Sequence, residues 1–184
     1  MKLLQNRQRL LALGWTFILW TALTGAKPPP SGDEKEEFEM SGNLKPTVPV
    51  EKLLAAPEEI SVEGRKMILK TTLWRDFMPI SPPDGKPLVA SVSIETIDLK
   101  ELPSSLTADR LWVIQDRKEA WESEPSDEPG PPKGLNEKHL LQKIARNGPK
   151  WGPQTEVDVV VRIRDAKNNA YYLKASHQPI QRTD

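Results

Sequence analysis

The chain has 184 residues and equal numbers of basic and acidic side chains, 26 of each, so its formal net charge is zero. A neutral chain lacks the basic excess that marks nucleic-acid binding, which argues against a nucleic-acid partner. It contains no cysteine, which excludes disulfide bonds, zinc-finger sites and a cysteine nucleophile. The length predicts one folded domain with additional segments.

The first 26 residues have the composition of a secretory signal peptide. A basic start with Lys2, Arg7 and Arg9 is followed by an apolar run over residues 10–23 and by small residues up to a cleavage site at Ala26. The run is shorter than the roughly 20 residues that a membrane-spanning helix needs. We therefore predict a periplasmic or secreted protein. The alternative is an uncleaved membrane anchor formed by residues 10–23.

Residues 27–59 are rich in proline and acidic side chains and include the run DEKEEFE. Such a stretch buries too little apolar surface to offset the entropy that is lost when the chain becomes ordered. We therefore predict a disordered, flexible tether between the signal segment and the folded domain. Within the tether, Val50–Ala56 has the spacing of one or two helical turns.

From Ile60 onward, apolar and polar residues alternate in short runs, which is typical of β-strands with one buried face. Residues 135–146 fit either a helix or a strand, and residues 123–133 are expected to form a proline-rich surface loop. The predicted strands are Lys66–Trp74, Leu88–Asp98, Leu111–Ile114, Val157–Arg164 and Tyr171–Ala175.

The last two of these strands are predicted to form a hairpin. A three-residue loop with Asn169 in the left-handed region sets Ile163 opposite Leu173 and keeps the apolar side chains on one face. The side chains expected in the core are Val159, Val161 and Ile163, and those expected in solvent are Arg162 and Arg164.

Several short strands separated by proline-rich turns are typical of an all-β sandwich. We therefore predict that residues 60–184 form an antiparallel immunoglobulin-like β-sandwich. The absence of cysteine means that the sandwich lacks the disulfide of antibody domains.

The motifs LWRDFMP, ARNGPKWGP and VDVVVRIRDA, together with the signal segment and the tether, resemble small exported bacterial lipoproteins with an immunoglobulin-like sandwich and unknown function. Leu23-Thr24-Gly25 is similar to the start of a bacterial lipoprotein signal. The next residue, however, is Ala26, where the lipidated cysteine would stand. The resemblance implies a location in the cell envelope and a fold, and it implies no activity.

The stretch LWRDFMPISPPDGKPL is the first candidate binding site. On an extended chain Arg75 and Phe77 point to one side and Trp74 to the other. One interpretation is a strand end whose Arg75 bonds a carboxylate or a backbone carbonyl on another element, followed by a turn at Asp84-Gly85. The other is an exposed binding patch of Trp74, Arg75 and Phe77, because Trp, Phe and Arg supply much of the binding energy at interfaces.

The second candidate is the loop RNGPKWGP, which carries Lys150 and Trp151. Loops on a rigid scaffold often carry binding residues, and an exposed Trp151 would stack on a sugar ring or fill a pocket of a partner. The alternative is that Trp151 closes the open end of the core.

The sequence contains none of the motifs that mark common enzymes. Its two histidines lie in no nucleophile motif or metal-binding spacing, and phosphate-binding and dinucleotide-binding loops are absent. We therefore predict a protein that is not an enzyme and has no cofactor or metal.

Two function classes fit these observations. The first is a non-catalytic interaction module of the cell envelope, whose partner is an envelope protein and which meets the membrane only through an uncleaved signal segment. The second is a carbohydrate- or small-ligand-binding module. The exposed tryptophans available to it as a platform are Trp74, Trp112, Trp121 and Trp151.

Overall fold

The computed structural model describes residues 46–127 and 138–184, which all belong to one compact unit, Glu39–Asp184. The predicted signal peptide (residues 1–26), the alternative anchor (residues 10–23) and most of the predicted tether lie outside the described residues. Within residues 46–127 and 138–184, no helix has both the length and the apolar character of a membrane span.

The described residues form one short helix and nine strands, so the prediction of an all-β protein is confirmed. The elements in chain order are α1 (Val50–Leu54), β1 (Glu59–Val62), β2 (Arg65–Asp76), β3 (Leu88–Thr96), β4 (Thr107–Gln115), β5 (Glu119–Ser123), β6 (Ser126–Asp127), β7 (Leu140–Gly148), β8 (Glu156–Arg164) and β9 (Ala170–Thr183). The segment that fitted either a helix or a strand is therefore a strand from Leu140 onward. Residues 135–137 lie outside the described part of the chain.

The strands form a curled, mixed sheet in the order β5-β4-β8-β9-β2-β3-β7-β6, and β1 pairs with β2 beside this path. The prediction of a wholly antiparallel fold is wrong at one place, because β2 and β9 pair in parallel from Leu73–Ile180 to Asp76–Thr183. A bulge precedes this pairing in β9, where Ser176 and His177 together oppose one residue of β8 and bend the strand. Beyond this bulge β9 reaches β2.

The main core lies between the inward faces of the strands, and alternation along each strand selects its members. In β3, the alternate residues Leu88, Ala90, Val92 and Ile94 are all buried. The three predicted core residues of β8, Val159, Val161 and Ile163, are also fully buried. A second apolar cluster, with Leu53, Ala56, Trp112, Ile114 and Val160 as its buried members, lies apart from the main core.

The second cluster explains a departure from the predicted tether. The tether was expected to extend to residue 59, but residues 46–59 include α1, whose Leu53 is fully buried. Its apolar residues cover Trp112 and Val160, which belong to β4 and β8. The backbone amide of Lys174 on β9 also donates to the carbonyl of Pro57, at 2.9 Å. The ordered domain therefore begins before residue 60.

The β8–β9 hairpin forms, but with a different register from the one predicted. Val161 pairs with Leu173 and Ile163 with Tyr171, so the loop is two residues longer than expected. Asn168, not Asn169, has the positive φ, of 63°. The carboxylate of Asp165 accepts hydrogen bonds from loop amides and from the hydroxyl of Tyr171, and these bonds stabilise the longer loop. A shift by two residues preserves which face is buried.

The two arginines of β8 are half-buried instead of exposed. Asp109 occupies a bulge in β4 and accepts hydrogen bonds from Arg162, at 2.8 Å, and from Arg164, at 2.7 Å. Burial alone would raise the pKa of Asp109, but the bonds from the two guanidinium groups outweigh it and hold the pKa below its usual value.

Candidate functional site

The first candidate stretch lies at the end of β2, and the pleat separates its residues. β2 ends at Asp76 and pairs antiparallel with β3, with Leu73 opposite Ala90. Arg75 points inward and is only 3% exposed. Trp74 lies on the other face, half-buried, opposite Val89. Trp74 and Arg75 therefore do not form one patch.

Arg75 connects two loops that are far apart in sequence. We call residues 77–87 the proline loop and residues 149–155 the tryptophan loop. The Nε of Arg75 donates to the carbonyl of Lys86 at 2.9 Å, and Nη2 donates to that of Asp84. Its Nη1 donates to the carbonyls of Lys150 and Trp151, both at 3.0 Å. The prediction that Arg75 bonds carbonyls on another element is confirmed.

The electrostatics of Arg75 are consistent with a structural role. Burial lowers the pKa of its guanidinium, and the nearby Asp84 carboxylate offsets part of this effect. Arginine is not deprotonated in proteins, so this buried group remains a cation that needs its acceptors. Four carbonyl oxygens supply them, and a buried donor that loses its acceptor costs about 1–3 kcal/mol.

Phe77 completes the base of the proline loop. Two guanidinium groups lie near its ring, with the Cζ of Arg75 5.0 Å and the Cζ of Arg182 4.3 Å from the ring centre. Gly85 lies so close to the ring that a Cβ at this position would be 2.7 Å from it, and Gly85 has a φ of 75°. The ring and the backbone of the turn therefore fit together only because residue 85 is glycine.

Two ion pairs lie on the rim of this base. Lys150 Nζ is 2.6 Å from Asp84 Oδ2 and joins the two loops, and Lys86 Nζ is 2.6 Å from Asp76 Oδ2. The hydrogen bond from Lys150 lowers the pKa of Asp84, and the one from Lys86 lowers the pKa of Asp76. The ammonium group of Lys150 is thus already engaged, which reduces what it can offer a ligand.

The tip of the proline loop is apolar and exposed. Ile80 is 86% exposed and Met78 is 45% exposed. Tight turns hold the tip, because the amide of Ser81 donates to the carbonyl of Met78 at 2.7 Å and that of Gly85 to Pro82 at 2.8 Å. This exposed tip was not predicted from the sequence. The sequence feature that could have indicated it is the pair of apolar residues Met78 and Ile80, which lie among prolines just after the end of a strand.

The other tryptophans of the described residues pack against buried apolar side chains. Trp112 is fully buried, and its ring centre is 5.9 Å from that of Tyr172. Trp121 and Trp151 are half-buried against the main core. Trp121 lies over Gly148, where a Cβ would be 2.8 Å from the indole ring. The interpretation in which Trp151 closes one end of the core therefore agrees with its position.

A shallow cavity of about 420 Å³ lies beside the bulge of β9. His177 Nδ1 is 3.4 Å from Glu156 Oε2 at its edge, and the sequence-based reasoning missed this grouping as well. Its lining residues carry both signs of charge and are Leu54, Ile114, Asp116, Arg117, Glu156, Val157, Asp158, Lys174, Ser176 and His177. In the described part of the chain, no group of three His, Cys, Asp or Glu residues is arranged to hold a metal ion.

The structure thus brings Arg75, Phe77, Lys150 and Trp151 to one end of the domain and places Trp74 on an outer face of the sheet. Whether these five residues bind a partner stays a prediction. No protein-family model, curated protein or solved structure matches this chain. The functional assignment therefore depends on the geometry of this end of the domain.

Proposed function

We propose that this protein is an exported, non-catalytic interaction module of the cell envelope that binds a protein partner through the tip of its proline loop. The observation that carries the proposal is the exposure of Ile80, at 86%, beside Met78, at 45%. Apolar residues scattered singly over a surface are ordinary. Met78 and Ile80 lie two positions apart in a loop whose base is buried, whereas the other exposed apolar pair, Ile97 and Leu99, lies in the loop after β3.

The base of the loop supports the proposal because it makes the tip rigid before any partner arrives. Arg75 holds the loop through the carbonyls of Asp84 and Lys86, and the ring of Phe77 packs against Gly85. Proline residues at positions 79, 82 and 83 restrict the backbone further. A loop that is already ordered loses little entropy on binding, so more of its contact energy appears as affinity.

We also propose that the curled sheet is an immunoglobulin-like sandwich. If β2 to β9 are taken as strands A, B, C, C′, D, E, F and G, the observed order becomes C′-C-F-G beside A-B-E-D. Two features depart from antibody domains. The chain has no cysteine pair, and Trp112 on the strand that corresponds to C belongs to the second cluster, not to the main core. The proline loop is then the connection between strands A and B.

The carbohydrate alternative ranks second. A sugar platform requires two or more exposed aromatic rings that lie in one plane. Trp112 is fully buried, and Trp121 and Trp151 pack against the main core, which leaves Trp74 as the half-buried indole of an outer face. These positions favour a protein partner over a sugar.

Site-specific photo-cross-linking in the producing cell tests the proposed function. A photo-reactive residue replaces Ile80 in one protein and Leu99 in the matched control, because Leu99 is also an exposed apolar residue, at 69%. We expect one discrete cross-linked product from position 80 and none from position 99. The additional substitution Met78→Lys should remove the product without changing the melting temperature.

Two results would contradict the proposal. One is the absence of a discrete product from position 80 in a protein that folds normally and is produced at the normal level. The other is the same product from positions 80 and 99, which would show that the cross-linking does not depend on the proline loop. A product from position 99 alone would assign binding to the loop after β3.

A further inference from the structure

One side of the second apolar cluster is supplied by a short segment that precedes the sheet in the chain. We call residues 46–57 the cover segment. Its Leu53 and Ala56 pack against Trp112, Ile114 and Val160 of β4 and β8. None of residues 46–57 belongs to the main core. The cover segment and the surface beneath it therefore form a separate apolar interface within one chain.

Polar contacts fix the register of the cover segment on this surface. The amide and hydroxyl of Thr47 each donate to the carboxylate of Glu122, at 2.8 Å. Nζ of Lys174 donates to the carbonyl of Leu54 at 2.8 Å. These contacts lie at opposite ends of the segment, and apolar anchors lie between them. This arrangement of anchors and polar ends is how amphipathic helical peptides are held in grooves.

The cover segment does not hold its own shape. α1 has five residues, and among the described residues no side chain caps its first turn. Helices this short are not stable alone in water. The helical conformation of the cover segment is therefore a consequence of docking on the surface of β4, β8 and β9.

The joint between the cover segment and β1 is a single residue, Glu58, which follows Pro57. The residue before a proline is biased towards extended conformations, so Ala56 does not continue the helix. Short joints of this kind favour exchange of a segment between copies. Release of the segment would leave the main core intact, but it would expose Trp112, Ile114 and Val160. In a chain whose cover segment is released, this apolar surface is therefore free to bind another segment.

We infer that the surface beneath the cover segment is also a docking site for residues 46–57 of a second copy of this chain. The same segment from a second copy reproduces the anchors and the polar contacts in the same register, and reciprocal exchange gives a closed, two-fold symmetric dimer. This inference is independent of the proline loop and of any partner that binds there.

The test uses the full chain, which has no natural cysteine. One protein carries Thr47→Cys and a second carries Glu122→Cys, since Thr47 Oγ1 and Glu122 Oε1 are 2.8 Å apart in the docked state. The two proteins are mixed, incubated and treated with a short bis-maleimide. A single chain with both substitutions is the positive control. A mixture of Thr47→Cys and Lys100→Cys is the negative control, because residue 100 lies in the loop after β3.

We expect a cross-linked dimer that contains one chain of each kind and increases with protein concentration. The dimer should be lost when Leu53→Asp is added to the Thr47→Cys chain, and Leu53→Ala should reduce it. The inference is overturned if the double-substituted single chain is linked internally but no dimer forms between chains at any concentration. It is equally overturned if the mixture with Lys100→Cys gives as much dimer.

Discussion

The guanidinium of Arg75 lies 5.0 Å from the ring centre of Phe77, two residues further along the chain. A cation over an aromatic ring is attracted by the negative face of the ring, and Arg182 lies on the same ring at 4.3 Å. Because the Arg75 group also bonds four backbone carbonyls, this pair joins the end of β2 to both loops. The stability of this end of the domain should therefore depend on it.

Arg75→Ala should strongly destabilise the protein. It removes the donors from four carbonyl groups and leaves a gap at a site that is 3% exposed, so we expect a loss of about 3 kcal/mol or more in the free energy of unfolding. Urea unfolding measures this loss. Arg182→Ala, which removes an exposed arginine from the same ring, is the control and should cost much less, because exposed charged contacts contribute little. Equal losses for the two variants would contradict the structural role of Arg75.

Gly85→Ala should destabilise the protein more than Gly64→Ala. Both glycines have a φ of 75°, but an added Cβ meets the Phe77 ring at 2.7 Å in the first case and has no atom within 4 Å in the second. We expect about 1 kcal/mol from the backbone at Gly64, and about 1–3 kcal/mol more at Gly85 from the overlap. Thermal unfolding of both variants gives the difference. The added substitution Phe77→Leu should recover part of the loss at Gly85 but none at Gly64.

Asp109 should make stability depend on pH in the acid range. Its pKa in the folded protein is lower than its ordinary value, because Arg162 and Arg164 donate hydrogen bonds to it. The stabilisation is therefore fully present at a pH above the pKa of the unfolded state and is lost as the pH falls through the lower pKa of the folded state. Asp109→Asn should reduce the free energy of unfolding at pH 7 and weaken its decline in acid. Urea unfolding at several pH values tests this, with Asp116→Asn in the exposed β4–β5 turn as the control. An unchanged acid decline in Asp109→Asn would show that other carboxylates dominate.

Val161→Asp should prevent folding. Val161 is fully buried in the main core, and an unpaired carboxylate there costs several kcal/mol, which is a large part of the stability of a small domain. Circular dichroism and the loss of a cooperative unfolding transition would reveal the effect. Thr72→Asp places the same charge at an exposed position of β2 and should leave the protein folded. A folded Val161→Asp protein would mean that this core position is wrongly placed.

Export should remove residues 1–26 and leave a mature chain that begins at Lys27. Mass spectrometry of the protein from its native source determines the amino terminus. A mature chain that retained residues 10–23 would support the membrane anchor instead, and the protein would then fractionate with membranes.

Local pattern was sufficient to predict that β3 has one buried face. Alternation sets Leu88 and Val92 on the same face, and both are buried, because the pleat turns successive side chains to opposite faces whatever the partner strand. The end of β2 was predictable for a similar reason. Pro79 and the prolines that follow have no amide hydrogen for a strand ladder, and β2 ends at Asp76.

The register of the last hairpin was not predictable from the same pattern. A shift by two residues buries the same face, so the apolar pattern fits more than one loop length. The hydrogen bonds of Asp165 favour the longer loop. The predicted end of the tether was wrong for a related reason. The composition of residues 27–59 does not reveal that Leu53 and Ala56 pack on the apolar side chains of Trp112 and Val160.

The amino-acid sequence by itself determined that this is a chain of short strands with alternating faces, that a proline-rich connection follows β2, and that no cysteine chemistry is available. These properties depend on residue types and on neighbours within a few positions. Only the tertiary structure decided that β9 pairs in parallel with β2, that residues 46–57 cover β4 and β8, and that Arg75 reaches Lys150. Each of these depends on contacts between residues more than 50 positions apart, whose partners are selected by the packing of the whole domain and not by the local sequence.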